Sequence, residues 1–215
     1  IPLPGEHMLY NALAATTVGV LFGLSAQQIQ SGIRDVEAVG GRSHVIRTGR
    51  LTLIDDCYNA NPVSMKAAID LLHMTDVSEV AGVPGTANAP EKIDASHMTD
   101  VSEMVVEQVR HHKNMRKVAI LGDMFELGTD EAALHREVGA YAADKAIDVI
   151  ICVGGLCRHM YDGVQSVKNP SVKSYYYENK EKLFAEIEEI IHDGDIVLVK
   201  ASHGMQFEEI IMKLS

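Results

Sequence analysis

"LIDDCYNANPVSMKAAIDLL", residues 53–72, starts as a buried strand and ends as a helix. Asn61-Pro62 reads as helix N-cap and first helical position, because the Asn side chain accepts an orphan backbone N–H and Pro presets φ. Met65, Ala68, Ile69 and Leu72 then recur at i, i+3, i+4 and i+7, the spacing of one helix face. Between strand and helix stand Asp55, Asp56, Tyr58, Asn59 and Asn61. A strand-to-helix step is where open α/β sheets receive ligands. The stretch therefore predicts both a fold class and a place for chemistry. Taken alone it also fits a plain polar turn that caps a helix.

Working outward, "HVIR" and "LTLIDD" joined through Thr48-Gly49 read as a hairpin ending at Asp56. Beyond residue 117 the pattern alternates. "KVAILGD", "DVIICVGG" and "DIVLVKAS" are continuous apolar strands, and "SYYY" is a shorter one. Helical stretches follow at 130–145, 156–165, 179–192 and 205–214. Apolar strands alternating with helices predict an α/β fold with a mostly parallel sheet covered on both faces. The polar residues at the predicted strand ends are Asp55 to Asn61, Gly122-Asp123, Gly154-Gly155 and Ser202-His203.

Upstream, residues 8–23 are apolar nearly all round, which calls for burial on most sides. Ser25 and Gln28 form a capping box that starts a second helix near Ala26. Two such helices cannot enclose a core. We read 1–39 as the remnant of another domain and 40–215 as a domain of its own, with Gly40-Gly41 as the joint. Ile1 is no initiator Met, so Ile1-Pro2-Leu3-Pro4 reads as the middle of a longer chain. "HMTDVSE" occurs at 73–79 and again at 97–103, and 74–103 is expected to be a mobile insertion without catalytic groups.

The chain has 215 residues, 47% hydrophobic, with a formal net charge of −11. A core is expected, and a general nucleic-acid or anionic-membrane surface is not, since either needs a basic footprint. No apolar run is long enough to span a bilayer. Cys57, Cys152 and Cys157 show no metal-ligand spacing and read as reduced, cytoplasmic thiols; no metal site is expected on this chain. Phosphate-loop, dinucleotide, nucleophile-elbow and H-E-x-x-H motifs are all missing from these residues. Asp123 and Glu126 have a plain reading as caps of the helix that follows them, and His135 as a packing histidine.

"GEHMLYNALAA" (5–15), "GGR" (40–42), "IDDCYNANPVSMKAAI" (54–69), "AILGDMFELG" (119–128), "LHREVG" (134–139) and "VKASHGMQFEEII" (199–211) occur in one order. Together they resemble the Mur ligases, in the branch that joins D-alanyl-D-alanine to UDP-N-acetylmuramoyl-tripeptide. The resemblance implies a three-domain, monomeric, cytoplasmic enzyme of peptidoglycan precursor synthesis that uses ATP and Mg2+. It would phosphorylate the tripeptide carboxyl and let the amine of D-alanyl-D-alanine attack. It further implies that this chain is the end of the central ATPase domain plus a Rossmann-like C-terminal domain. The phosphate loop and magnesium ligands would lie upstream. By the same resemblance Asn11 meets adenine, Arg42 reaches the terminal phosphates as the catalytic cation, and Asp56 holds the ribose. Asn59 and Asn61 shape that pocket, and Ser202 and His203 face the incoming amino substrate. The family often has Gly at Ala201 and Arg at His203, and a neutral His holds a carboxylate less firmly than a forked guanidinium. Two alternatives stay open, a folylpolyglutamate synthase-like ligase and a non-catalytic α/β binding module.

Overall fold

The computed structural model describes residues 7–36, 40–75 and 115–215. The apolar runs form a six-stranded sheet in the order β1-β2-β6-β3-β4-β5. The strands are β1 (His44–Arg47), β2 (Thr52–Asp56), β3 (Lys117–Gly122), β4 (Val149–Val153), β5 (Lys173–Tyr177) and β6 (Ile196–Lys200). Only the β1–β2 hairpin is antiparallel; β2–β6, β6–β3, β3–β4 and β4–β5 are parallel. The expected α/β class with a mostly parallel sheet is what forms.

Alternation along β6 shows why these strands read as continuously apolar. Ile196 and Leu198 join one core with Ile54, Leu121, Met65 and Met160. Val197 and Val199 join a second core with Leu53, Ile120, Ile187 and Phe207. Both faces are therefore sealed. On the first face lie α3 (Pro62–Met74), α4 (Glu131–Ala143) and α5 (Cys157–Ser166); on the second lie α6 (Lys180–Phe184), α7 (Ile187–Ile190) and α8 (Glu208–Leu214). Helices α4 and α5 touch backbone to backbone. A Cβ at Gly139 would stand 1.9 Å from the Met160 carbonyl oxygen, and one at Gly163 would stand 2.1 Å from that of Arg136.

The predicted helix start after Asn61 is borne out: Asn61 Oδ1 accepts from the Ser64 N–H at 2.9 Å, and Ser64 Oγ accepts from the Asn61 N–H at 3.1 Å. The predicted single helix over 179–192 is instead two short helices, Lys180–Phe184 and Ile187–Ile190. Leu183, Ile187 and Ile190 keep helical spacing across the break, so periodicity does not reveal it. The break is pinned where the Tyr177 hydroxyl donates to Glu186 Oε2 at 2.6 Å.

Upstream, α1 (His7–Leu21) and α2 (Ala26–Arg34) form as expected, the second behind its Ser25–Gln28 capping box. The burial that α1 calls for is not supplied by the described residues, which leave Leu9, Tyr10, Leu13, Val20 and Phe22 exposed. The expected insertion at 74–103 lies, beyond Met74 and Thr75, outside the described residues, as do residues 37–39.

Candidate functional site

Parallel pairing of β2 with β6 puts Asp56 directly opposite Lys200. Lys200 is the one charge in an otherwise apolar strand, and its side chain is almost fully buried. Its ammonium donates to Asp56 Oδ2 at 2.6 Å and to the Asn59 carbonyl at 2.9 Å. The other Asp56 oxygen accepts the Ser43 N–H at 3.0 Å, while Asp55 Oδ2 accepts the Gly41 N–H at the same distance. The two aspartates thus grip the Gly40-Gly41-Arg42-Ser43 turn from either side of Arg42. The grip needs unusual backbone, with φ of 75° at Gly41 and 49° at Ser43. Gly41 is required: a Cβ there would stand 3.2 Å from Tyr58 N, whose N–H donates to the Gly41 carbonyl at 2.9 Å.

Around this base opens a cleft of about 830 Å³. Asn11, Arg42, Asp56, Asn59 and Asn61 all line it, although they come from three separate stretches of sequence. Lys200, Tyr58, Met8 and Leu134 join them. One wall, with Val63, Ala67 and Leu134, is apolar; the floor carries the ion pair. Asn59 Oδ1 accepts from the Ala60 N–H and Asn61 Oδ1 caps α3, which leaves the amide NH2 group of each without a hydrogen-bond partner among the described residues. Asp56 keeps a spare lone pair on each oxygen. Such a cleft suits a molecule with a flat apolar part, hydroxyls and anionic oxygens.

Ser202 and His203 stand apart from the cleft. Ser202 is buried, and its hydroxyl accepts the Phe125 N–H at 2.9 Å, tying the loop after β3 to the loop after β6. His203 is exposed, 3.4 Å from Glu208 and with its ring centroid 5.9 Å from that of Tyr58. Ala201, where the family often has Gly, packs against Gly122; a Cβ at Gly122 would come within 2.6 Å of it.

At the other half of the sheet's carboxyl edge a smaller cleft of about 330 Å³ opens, with one of the protein's own carboxylates on its lining. A Gly-Gly turn leading into a helix N-terminus is a ready anion site. Here Gly154, at φ 129°, lets the Asp123 carboxylate sit against its backbone, and Asp123 Oδ1 accepts the Cys157 N–H at 2.7 Å. Asp123 therefore caps α5, across the sheet, rather than the helix that follows it in sequence. Asp123, His135 and Cys157 bring potential ligand atoms within 4.8 Å of one another. Each already makes hydrogen bonds within the protein, Asp123 by accepting the Cys157 N–H. His135 Nε2 accepts from Met124 N–H at 2.9 Å and Nδ1 faces the Glu131 carbonyl at 2.7 Å; Cys157 donates to the Leu121 carbonyl. Burial pushes the Cys157 thiol well above its ordinary pKa, away from the thiolate a metal would need.

Sequence reasoning missed Lys200 and Tyr58. The lone Lys in "DIVLVKAS" was a signal, since an unpaired ammonium inside a buried strand is prohibitively costly. Nothing local marks Tyr58, whose role depends on the distant turn it touches.

Comparisons with known proteins bear on the family and the fold. A family model described as "Mur ligase, glutamate ligase domain" matches residues 88–203. The UDP-N-acetylmuramoyl-tripeptide--D-alanyl-D-alanine ligase of Bacillus subtilis (strain 168) is 33% identical over 215 residues, covering 100% of this chain and 39% of that protein. The ligase of the same name from Escherichia coli (strain K12) is 28% identical over 217 residues, with 100% and 38% covered. Among solved structures, MurF from Acinetobacter baumannii superposes with a TM-score of 0.71 at 23% identity, covering 100% of this chain and 38% of that one. MurF from Thermotoga maritima in complex with ADP gives 0.62 at 20% identity, with 98% and 38% covered. The chain thus spans about 39% of the length of the curated relative from B. subtilis. With the family model matching more than half of its residues, the chain belongs to the Mur ligase family.

Proposed function

We propose that this chain is the C-terminal portion of an ATP-dependent ligase that adds D-alanyl-D-alanine to UDP-N-acetylmuramoyl-tripeptide. Residues 1–39 end the central ATPase domain, and 40–215 form the domain that closes over it. The exposed apolar side chains of α1 fit this division, since they lack a core among the described residues. The whole enzyme works as a cytoplasmic monomer. No described helix is long and apolar enough to cross a membrane.

The observation that carries the reading is the single cleft lined by Asn11, Arg42, Asp56, Asn59 and Asn61. Each has chemistry for one part of a nucleotide: amides for a base, a carboxylate for ribose hydroxyls, a guanidinium for phosphoryl oxygens. ATP supplies the phosphoryl group that activates the tripeptide carboxyl. Arg42 then stabilises charge spreading over the transferred group, and domain closure keeps water out. Mg2+ would be held mainly by residues outside this chain; Asp56 is engaged by Lys200 and the Ser43 N–H and serves the sugar instead. Ser202 and His203 lie on the loop toward which the amino substrate would come.

The test is Arg42→Ala in the longer enzyme. We expect kcat to fall by at least about a hundredfold, corresponding to roughly 3 kcal/mol of lost transition-state stabilisation, with little change in KM for UDP-tripeptide. An unchanged kcat with a raised KM would assign Arg42 to ground-state binding and sink the catalytic role.

A further inference from the structure

Arg42 is held in an uncommon way. Its guanidinium carbon lies 4.0 Å from the centroid of the Tyr58 ring. Among the described residues no hydrogen bond or ion pair engages its side chain. Arg116, in contrast, donates from Nε and Nη2 to Asp195 and from Nη2 also to the Ile190 carbonyl. A carboxylate partner fixes a guanidinium by consuming the donors that recognise anions. A ring face fixes it through the π cloud and leaves the donor edge free.

Everything around the contact restricts Arg42 further. The turn is tied through the Gly41 and Ser43 N–H groups to Asp55 and Asp56, and through the Gly41 carbonyl to the Tyr58 N–H. The backbone that carries the ring is therefore bonded directly to the backbone that carries the cation. The ring itself leans on His203 at 5.9 Å with a 38° tilt.

We propose that Tyr58 is a positioning residue for Arg42: its ring presents the guanidinium at the cleft with all five N–H donors free for phosphoryl oxygens. This rests on the reading of Arg42 given above and adds the means by which the side chain is preorganised. An unheld arginine would have to be ordered during each catalytic cycle, at a cost in side-chain entropy.

Two readouts test it. The first needs no catalysis. In NMR spectra of this chain, the Arg42 side-chain protons should be shifted upfield by the ring current, retain that shift in Tyr58→Phe, and lose it in Tyr58→Leu. The second uses the longer enzyme. Tyr58→Leu should lower kcat by about tenfold, equivalent to ~1.4 kcal/mol, with KM for ATP nearly unchanged. Tyr58→Phe should restore the rate, and Tyr58→Leu should add no further loss to Arg42→Ala. An equal loss in both backgrounds would overturn the proposal, because Tyr58 would then act on the ligand itself. Absence of the ring-current shift in the parent chain would overturn the contact. A silent Arg42→Ala with the shift intact would instead overturn the phosphoryl role of Arg42 while the contact stood.

Discussion

Strand β6 is bracketed by two buried ion pairs built for different ends. Just before it, Asp195 takes Arg116 Nε at 3.0 Å and Nη2 at 2.7 Å, and also the His192 N–H at 2.8 Å. At its last residue, Lys200 meets Asp56 at 2.6 Å and lines an open cleft. The first pair is a forked, two-point bond with the carboxylate almost wholly out of water, and the hydrogen bond to Asp195 holds Arg116 above the ordinary arginine pKa. The second joins a compact ammonium to a carboxylate that still has lone pairs to offer. One closes the amino edge of the sheet; the other braces the cleft at the carboxyl edge. Both follow the rule that a charge in a sealed sheet needs a partner, but only the second pair lines the cleft.

The sharpest way to break this contrast is Asp195→Ala. It strands a guanidinium whose other hydrogen bond, among the described residues, is to the Ile190 carbonyl. Urea denaturation of the chain should show a loss of about 3 kcal/mol, the lower part of the range for breaking a buried pair, since Arg116 is partly exposed. Nucleotide binding by the longer enzyme should be unchanged once the protein is folded. A loss below ~1 kcal/mol would mean that the amino-edge pair anchors nothing.

Lys200→Met should be milder in stability and harsher in function. Met fills a similar volume, and Asp56 lies close enough to the cleft to take on water. A loss of about 2 kcal/mol is expected. Asp56 would keep only its bond to the Ser43 N–H, so the Arg42 turn should loosen. Affinity of the longer enzyme for ATP should fall by about tenfold, or ~1.4 kcal/mol. If calorimetry shows unchanged affinity with the same stability loss as Asp195→Ala, the two pairs are equivalent and the functional half of the contrast fails.

These pairs also mark how far the sequence could be read. The sheet was legible because "VAILG", "VIICV" and "IVLV" are too apolar to face water on either side, and the helix after Asn61 because its cap is local. The break at 185–186 was not, because both segments keep one apolar spacing. Asp56, Asn59 and Asn61 were legible as a place for chemistry from their strand-to-helix step, but Asn11 and Arg42 only through motif resemblance; no local property of Arg42 distinguishes it from a turn arginine. Lys200 and Tyr58 escaped because their meaning lies in register and in a contact across 16 residues of chain, from 42 to 58. Asp123 was read as a cap for the next helix, while the fold carries it to a helix that starts 34 residues later.

A third acid–base pair, on the outside of the first face, extends the series to its weak end. Asp70 on α3 receives the Tyr141 hydroxyl at 2.7 Å to each oxygen and Lys145 at 2.8 Å. Partial burial works against ionisation of Asp70, but the bonds from Lys145 and Tyr141 outweigh it and hold the carboxyl below its usual value of 3.8. A carboxyl whose folded pKa is depressed contributes its stability above the unfolded value and loses it as pH falls through the folded one. Asp70 therefore helps at neutral pH and stops helping only below the ordinary aspartate range. The pair is substantially exposed and screened, so Asp70→Asn should cost only about 0.5 kcal/mol at pH 7. The more telling measurement is the acid limb of stability against pH, which should be shallower in Asp70→Asn than in the parent, the two converging at the lowest pH at which both still fold. Parallel curves would show that Asp70 titrates alike in folded and unfolded chains. The graded series, from sealed pair to cleft pair to surface pair, would then lose its outermost member.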